Sequence, residues 1–291
     1  RLWPNVTSLA EANLDDVLSA WAGLGYYARA RNMHRCAGII TTKFGGKFPS
    51  TEEELLSLPG IGAYTAAAIR AIAFDKPAVV VDVNIERVIA RLYNVREPIS
   101  HVKPQVRRLA SSLMSSKRPG DWSQALMDLG ATVCKPKSPD CDSCPWKNKC
   151  VAKALGSASK IPLRLPKPKR PTRYGVAFVL TRSDGCILFE RRPQHGILGG
   201  MLGLPGTPWM DRHWVESDAI PFSPLQTPWS RVTGVVHHTF THFHLELTLL
   251  KGRIRGATNI HGHWVKPSEF LDIGLPTLMK KAVKLGQTVG T

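Results

Sequence analysis

The pattern of hydrophobic and polar positions changes along the chain near residue 160. Before that point, apolar residues recur at the spacing of one helix face, and glycines or polar runs separate the segments. From about Tyr174 onward, they alternate with polar residues at the period of a strand. The sequence therefore predicts an all-α part followed by an α+β part.

Helical patterns fill the first part of the chain, and several carry their own start signals. Thr51 precedes a run of acids and is expected to cap its helix, and Asp121 is expected to cap the last one. Lys103-Pro104 opens a basic helix. The predicted helices cover residues 5–20, 28–43, 51–58, 63–74, 84–92, 105–114 and 122–134.

The second part has the signals of paired strands. Residues 174–182 and 186–192 flank the turn Ser183-Asp184-Gly185, which predicts a hairpin. Residues 231–254 supply a second pair of strands. Residues 264–286 end in a helix, so this part is predicted to be a sheet with a helix on it.

Length and charge narrow the class of protein and its partner. The 291-residue chain is long enough for two domains, and 39 Lys and Arg against 22 Asp and Glu give a net charge of +17. Such a field attracts polyanions, nucleic acid first. An anionic membrane surface is not favoured as the partner, because the sequence has no basic amphipathic helix and no apolar run of transmembrane length. Residues 160–173, rich in proline and basic residues, are expected to be a stiff connector or a solvated linker.

A tight turn and an aspartate form the first candidate site. The turn Leu58-Pro59-Gly60-Ile61-Gly62 separates two helical patterns, so its glycines can bring the amides of a helix N-terminus close to a phosphate. Further along, an apolar run delivers Asp82 to the start of another helix. A carboxylate one short loop away from a phosphate clamp suits a DNA-processing site. The same residues are equally consistent with a plain turn and a plain helix cap.

Four of the six cysteines are clustered. Cys134, Cys141, Cys144 and Cys150 are spaced C-x6-C-x2-C-x5-C, and such a cluster favours a metal over disulfides. Zinc ribbons prefer two C-x2–4-C pairs and this loop has one, so the four thiolates suit a [4Fe–4S] cluster better. We expect a structural role for the cluster, which would hold the lysines of the loop against DNA phosphates.

In combination, these features resemble the helix-hairpin-helix DNA glycosylases. Two stretches narrow the resemblance to the adenine DNA glycosylases of the MutY type, namely WAGLGYYARARN (Trp21–Asn32) and HTFTHFHL (His238–Leu245). The resemblance covers essentially the whole chain. It implies a multi-domain fold, with an all-α helix-hairpin-helix glycosylase domain and its iron–sulfur loop followed by an α+β Nudix-like domain.

The resemblance also implies domain boundaries and partners. The partner would be double-stranded DNA with 8-oxoguanine:adenine or G:A mispairs, bound by a monomer with a [4Fe–4S] cluster and no membrane partner. The protein would work at the nucleoid of the bacterial cytoplasm, and any targeting segment would precede Arg1. The implied domains are 1–133 (glycosylase, without its N-terminal helices), 134–156 (iron–sulfur loop), 157–173 (Pro/Lys/Arg linker) and 174–291 (Nudix-like 8-oxoguanine recognition).

The implied reaction is hydrolysis of the N-glycosidic bond of adenine mispaired with 8-oxoguanine or guanine. Adenine is flipped out of the duplex, an acid protonates it, and an anion stabilises the oxocarbenium-like sugar. Asp82 matches the family's aspartate for the second role, although Val83 stands where the family has glycine. Tyr64 stands where lyase-type relatives have a lysine, which implies a monofunctional glycosylase. The alternative for Tyr64 is an aromatic residue that only packs its helix.

The resemblance implies further contacts with DNA. Gln124 matches the residue that contacts the target adenine, Tyr26 matches the wedge beside 8-oxoguanine, and Leu24 supports the loop of that wedge. Tyr26 is also consistent with a core aromatic residue at a helix start. The turn residues implied to contact the DNA backbone are Pro59, Gly60 and Gly62.

The second part is implied to read 8-oxoguanine. Phe240-Thr241-His242 stands where the family usually has Phe-Ser-His. The Thr241 hydroxyl can accept a hydrogen bond from the N7–H that 8-oxoguanine has and guanine lacks. Residues 199–214 lack the glutamate-rich run with which Nudix hydrolases bind metal, so we expect recognition without hydrolysis.

One residue of the family pattern is missing from the sequence. The catalytic glutamate of the family lies on a helix that would precede Arg1, so we expect an N-terminally truncated form with little excision activity as it stands. Two alternatives follow, a non-catalytic DNA-lesion-binding fragment and another helix-hairpin-helix glycosylase, such as an endonuclease III-like enzyme. Tyr64 and the appended domain argue against the second.

Overall fold

The chain folds into two compact units in the computed structural model. One unit is Ile39–Lys167, and the other joins Arg1–Gly38 to Pro168–Thr291. This grouping differs from the division implied by the sequence, and the domain boundaries given above stay a prediction. The structure describes residues 1–166, 168–194, 196–255, 260–270 and 273–287.

Residues 5–20, predicted as one helix, form two. Helix α1 (Val6–Glu11) ends in extended backbone with φ −65° and ψ 147°. Asn13 then caps α2 (Leu14–Ala20), because its side chain accepts a hydrogen bond of 2.9 Å from a backbone N–H of the first turn. An asparagine side chain competes with the backbone for such bonds, so it restarts a helix more readily than it continues one.

The other predicted helices form, and Thr51 caps its helix as expected, at 3.3 Å from Glu54 N. Within the described residues, no helix combines the length and the apolar character needed to cross a bilayer. The helices are α3 (Ala28–Phe44), α4 (Glu52–Leu56), α5 (Ala63–Phe74), α6 (Val83–Leu92), α7 (Lys103–Ser112), α8 (Pro119–Asp128), α9 (Val151–Ala154), α10 (Glu216–Ala219) and α11 (Thr277–Gln287).

The start of α8 differs from the prediction. Asp121 is not its cap but lies in its first turn, and the cap residue is Arg118, with φ 53°. Pro119 has its φ already set for the first helical position, which moves the start of the helix forward. Asp121 pairs instead with the Arg118 guanidinium. After α8, Leu129–Val133 forms a π-helical turn where an α-helix was predicted.

The core of the helical unit, Ile39–Lys167, is centred on α6. Ile85 and Ile89 of this helix are fully buried. Small residues let α5 and α8 approach closely, because a Cβ added to Gly120 would lie 2.7 Å from Ala71 O. Ile161, in the stretch predicted as a connector, is also buried in this core. Residue 167 of that connector lies outside the described residues.

Among its described residues, the other unit has one seven-stranded sheet. Its two long strands are parallel neighbours, with Thr172 opposite His244 and Thr181 opposite Arg253. The strands are β1 (Thr172–Thr181), β2 (Ile187–Arg191), β3 (Leu202–Gly203), β4 (Ser230–Arg231), β5 (Val236–Thr239), β6 (His244–Arg253) and β7 (His263–Val265). Their order is β3-β2-β1-β6-β4, and in addition β5 pairs with β6 and β7 with β2.

Both predicted strand pairs are present. Strands β1 and β2 are antiparallel around the predicted turn, in which Asp184 accepts a hydrogen bond from Cys186 N at 3.1 Å. Strands β5 and β6 are antiparallel, with Thr239 opposite His244. The terminal helix α11 buries its apolar face in the main core of this unit.

Gly120→Ala is expected to lower the free energy of unfolding by about 1–3 kcal/mol, because the added methyl group would press on the Ala71 carbonyl. Gly38→Ala is the matched control in α3, since a Cβ there would meet nothing within 4 Å. That control is expected to be neutral or stabilising by up to about 1 kcal/mol. Urea unfolding followed by circular dichroism measures both, and equal stabilities would contradict the close packing of α5 on α8.

Candidate functional site

The turn between α4 and α5 leaves the start of a helix open to solvent. Gly60 has φ +79°, a left-handed value that favours glycine, and Gly62 is the cap residue of α5. A Cβ at Gly62 would meet nothing within 4 Å, so the space beside the first amides of α5 is clear. Pro59 is half-buried in the same turn. Because the helix dipole favours an anion there, the turn can accept a phosphate oxygen.

Asp82 is held as the cap of α6. Its Oδ1 accepts hydrogen bonds from Asn84 N at 2.9 Å and from Ile85 N at 2.7 Å, and its Oδ2 accepts one from Asn84 Nδ2 at 3.1 Å. The side chain is half-buried. A carboxylate oxygen has two lone pairs, so Oδ2 keeps acceptor capacity beyond this bond. Asp82 does cap its helix, and the same bonds hold its carboxylate in one orientation.

A buried arginine connects the partner of Asp82 to the cysteine loop. Arg87 Nη2 donates to Asn84 Oδ1 at 2.9 Å and to Gly130 O at 2.6 Å, and its Nε donates to Cys134 O at 2.8 Å. Burial lowers the pKa of Arg87. Gly130 has no room for a side chain, because a Cβ would lie 2.7 Å from Asn84 Cβ. The amide that orients Asp82 is thereby tied to the backbone of the loop.

Tyr64 and Gln124 lie on α5 and α8, which pack together. The Tyr64 residue is 43% exposed, and its hydroxyl makes a weak hydrogen bond to Met127 Sδ at 3.6 Å. Gln124 is exposed, and its Nε2 donates to Gly120 O at 3.2 Å. Tyr64 therefore does not fill the core of the unit, and both polar tips lie at its surface.

The four clustered cysteines line one small cavity of the helical unit. Burial, and then the neighbouring Cys150 and Cys134 thiols, raises the pKa of Cys141. Burial also raises the pKa of Cys144. These thiols lie close enough together for the charge of one to affect another. The half-buried cysteines that line the cavity are Cys134, Cys141, Cys144 and Cys150.

Arg91 lines the same cavity and is only 1% exposed. Its Nη1 donates to Cys134 Sγ at 3.2 Å, and Cys150 Sγ donates to its carbonyl oxygen at 3.5 Å. Both ends of the cysteine run therefore contact one residue of α6. The guanidinium also donates to the backbone carbonyls of Cys134 (3.2 Å), Lys135 (2.8 Å), Pro136 (2.9 Å) and Ile161 (2.8 Å).

The four thiols around one cavity can be compared with the ligand sets of zinc and of a [4Fe–4S] cluster. A zinc site needs its ligands at about 2.0–2.3 Å from a single metal. Within the described residues, no three His, Cys, Asp or Glu side chains converge in that way. A [4Fe–4S] cluster instead binds each cysteine to a different iron, so it needs four thiols around a shared cavity. The four thiols that line the cavity beside the buried Arg91 are a suitable donor set.

In the sheet-containing unit, the segment before α3 presents an aromatic side chain to solvent. Tyr26 is 68% exposed and has φ 48°. Trp21 Nε1 donates to Gly25 O at 3.0 Å, which holds the segment in this turn. Leu24 is also exposed, whereas Tyr27 is buried. The core aromatic residue at this helix start is thus Tyr27 and not Tyr26.

Phe240-Thr241-His242 forms the turn between β5 and β6. The Phe240 ring stacks on Trp209, with centroids 5.5 Å apart and 28° between the planes. Arg170 Nε donates to Thr241 O at 3.1 Å. The Thr241 hydroxyl is exposed and donates to the Tyr26 hydroxyl at 3.4 Å. Two predicted site residues that are far apart in sequence therefore meet.

Tyr26 and Thr241 line a cavity of about 340 Å³. Its walls come from the start of α3, from residues 196–198, from residues 238–241 and from the start of α11. Burial, and then the Lys281 charge, lowers the pKa of His238 in this wall. Leu24 and His242 are not among the described residues that line the cavity.

The sequence patterns did not single out the arginines that organise these sites. Arg87 and Arg91 lie four residues apart in a helix whose other inward positions are apolar, and both are buried. That spacing places two charges on one helix face next to the core, which signals buried partners. Most of their partners are backbone carbonyls from residues 130–161, and no local pattern reveals these.

Two family models match the chain. A model of HhH-GPD superfamily base excision DNA repair proteins matches residues 1–115, and a NUDIX domain model matches residues 176–285. The predicted fold class, a helix-hairpin-helix glycosylase domain followed by a Nudix-like domain, is confirmed. Residues 1–115 are thus similar to a superfamily of base excision DNA repair proteins, and residues 176–285 to NUDIX domains.

Curated relatives narrow this class. The chain is 37% identical to the adenine DNA glycosylase of Schizosaccharomyces pombe, over 94% of this chain and 71% of the relative. It is 33% identical to human adenine DNA glycosylase, over 99% of this chain but only 64% of that relative's length. The solved structure of a thermostable thymine-DNA glycosylase is 27% identical, over 52% of this chain and 70% of that one, with a TM-score of 0.47. The chain belongs to the adenine DNA glycosylase family, as its resemblance implied.

Arg91→Met is expected to lower the free energy of unfolding of the helical unit by about 3 kcal/mol or more, because several buried carbonyls would lose a charged donor. Arg107→Met on the exposed face of α7 is the matched control, with an expected change within about 0.5 kcal/mol. Urea unfolding measures both. If Arg91→Met unfolded at the same urea concentration as the unchanged protein, the buried hydrogen bonds would not be stabilising the loop.

Proposed function

We propose that this protein is a monofunctional DNA glycosylase that removes adenine mispaired with 8-oxoguanine, or with guanine, from double-stranded DNA. Membership of the adenine DNA glycosylase family supports the reaction. The observation that carries the choice of lesion is the cavity lined by both Tyr26 and Thr241. An exposed aromatic ring suits stacking on a base, and a neighbouring hydroxyl suits reading of its edge.

Binding of DNA uses the positive charge of the protein and the open start of α5. The net charge of +17 attracts the phosphate backbone without regard to sequence. The backbone N–H groups beside Gly62 donate hydrogen bonds to one phosphate group, and Gly60 and Pro59 shape the turn that presents them. Exposed lysines of the cysteine loop add further phosphate contacts; they are Lys135, Lys137, Lys147 and Lys149.

Asp82 stabilises the positive charge that develops on the sugar when the glycosidic bond breaks. Its carboxylate is already oriented by three hydrogen bonds, so little reorganisation is needed in the transition state. Gln124 contacts the flipped adenine, whose edge matches an amide. Protonation of adenine needs an acid, which the family provides with a glutamate. Tyr64 has no amine, so no Schiff base forms and the DNA strand stays intact.

Reading of 8-oxoguanine uses the turn between β5 and β6. The Thr241 hydroxyl accepts a hydrogen bond from the N7–H of 8-oxoguanine while Tyr26 stacks beside the base. Guanine has no N7–H, so the same hydroxyl meets an acceptor at that position. Phe240 supports the turn through its stack on Trp209. His242 is an exposed, flanking residue of the same turn.

The cysteine loop holds a [4Fe–4S] cluster. When bound, the cluster would cross-link the loop and would have no direct part in breaking the glycosidic bond. Support comes from the four thiols that line one cavity and from Arg91, which donates to Cys134 Sγ. A fixed loop keeps its exposed lysines directed at the DNA backbone.

Asp82→Asn is expected to slow adenine release from an 8-oxoguanine:adenine duplex by at least about 100-fold, because the substitution removes the charge while an asparagine still caps α6. Single-turnover release by the natural polypeptide that contains these residues measures the rate. Strand cleavage without added alkali is expected to be absent. Duplex affinity, measured in parallel, is expected to change little.

Asp121→Asn, which removes a carboxylate from the surface of α8, is the matched control for that experiment. Release at the normal rate by Asp82→Asn would remove Asp82 from the reaction. Preference for the lesion duplex without any release would point to the lesion-binding alternative. A protein with neither release nor preference would contradict the proposed function.

Cys144→Ser is expected to reduce the iron content from about four atoms per chain and to weaken the visible absorbance of the cluster. Cys186→Ala, a buried cysteine of the other unit, is the matched control and is expected to keep full iron content. Elemental analysis of protein purified without oxygen measures both. Stoichiometric zinc in place of iron would overturn the cluster assignment.

A further inference from the structure

One wall of the cavity lined by Tyr26 and Thr241 comes from a tight turn over residues 196–200. Gly196, Leu198 and Gly200 all have left-handed φ values, of 86°, 57° and 70°. For Leu198, this conformation is unfavourable and persists only where the surroundings hold it. Gly199 has no space for a side chain, because a Cβ would lie 2.5 Å from Gln194 O. The position of this cavity wall therefore depends on the contacts that hold the turn.

Two arginines from different elements bind the carbonyls of the turn. Arg31 of α3 donates from Nη1 to Gly199 O at 2.6 Å, and Arg191 of β2 donates from Nη1 to Gly200 O at 2.8 Å. Asp15 of α2 holds the second arginine through both carboxylate oxygens, at 2.8 Å and 2.7 Å. Charged, planar and bidentate hydrogen bonds of this kind fix orientation as well as distance.

The same turn has an apolar contact with the helices before it. Met201, which follows the turn, is buried with Val17 and Leu18 of α2 and with Ala30 of α3. Burial, and then the charge of Arg35, lowers the pKa of Arg31. The Gly199-Gly200 turn and the segment that carries Tyr26 are therefore joined by polar and apolar contacts together.

We propose that Arg31 and Arg191 are positioning residues for lesion discrimination, because they hold the Gly199-Gly200 turn against α2 and α3, the helices on either side of the segment that carries Tyr26. The inference rests on the proposed reading of 8-oxoguanine. One N7–H distinguishes the lesion from guanine, so the Tyr26 and Thr241 sides of the cavity must keep their separation to within about 0.5 Å. The two guanidinium groups hold one side of that cavity in place. Arg31 also lines the cavity, whereas Arg191 does not, so the Arg191 variant separates positioning of the turn from direct contact with the base.

The test compares the affinity of the natural polypeptide for two duplexes, one with adenine opposite 8-oxoguanine and one with adenine opposite guanine. Arg31→Met is expected to lower the ratio of these affinities about tenfold, the effect of losing one charged hydrogen bond. Arg191→Met is expected to lower the same ratio, because it removes the hydrogen bond to the other carbonyl of the turn, that of Gly200. Arg31→Lys, which keeps a charge and a donor, is expected to restore part of it.

Arg35→Met is the matched control, because it removes the same charge from an exposed position of the same helix. This control is expected to weaken the binding of both duplexes by the same factor and so to leave the ratio of the two affinities unchanged. Thermal unfolding by circular dichroism checks that each variant is folded. If Arg31→Met does not fold, Arg31→Lys and Arg191→Met decide the question.

The inference is overturned if Arg191→Met or a folded Arg31→Met keeps the normal ratio. Equal losses for both duplexes would also overturn it, since they would indicate simple phosphate contacts. An unchanged protein without preference for 8-oxoguanine would instead remove the proposed function, and this inference with it. A fall in the ratio for both variants, with partial rescue by lysine, supports the clamp.

Discussion

A guanidinium group in a protein core must have its N–H groups paired. Arg87 and Arg91 of α6 meet this constraint with backbone carbonyls at the start of the cysteine loop and in the π-helical turn before it. The loop cannot shift without leaving buried donors and acceptors unpaired. Asp82 caps the same helix, and Asn84 makes hydrogen bonds to both Asp82 and Arg87. The candidate catalytic carboxylate is therefore connected through hydrogen bonds to the segment that carries the cysteines. The stability of the loop and the orientation of the carboxylate therefore have a common origin.

In the sheet-containing unit, guanidinium groups also pair with backbone carbonyls, here at the Gly199-Gly200 turn. The cavity of this unit is composite, with Tyr26 from the start of α3 and Thr241 from a turn between strands. Neither segment builds the cavity alone, so the contacts that join them decide its shape. A turn with left-handed backbone at Gly200 is held by charged hydrogen bonds to its carbonyls. Paired carbonyls and guanidinium groups thus organise the candidate sites of both units.

Local patterns predicted much of the fold, and the errors have local physical causes. The strand pair around Asp184 was predictable because alternation and a turn residue lie within one short stretch. The prediction of a single helix over residues 5–20 was wrong, because Asn13 can cap a new helix as easily as it continues an old one. The prediction that Asp121 caps α8 was also wrong, because the φ angle of Pro119 is already suited to the first helical position. Apolar spacing alone does not decide between such competing starts.

The sequence by itself determined the class of protein, since the glycine turn, the cysteine spacing and the two family stretches are continuous in the chain. It also determined Asp82 as a helix start, because an aspartate before an apolar helical pattern is a local signal. Only the tertiary structure decided which polar groups are buried and paired. Arg31 and Gly199, or Arg91 and Ile161, meet because helices and strands pack, and their hydrogen bonds join residues with no common sequence pattern. Contacts of that kind depend on the whole fold, so periodicity and spacing cannot reveal them.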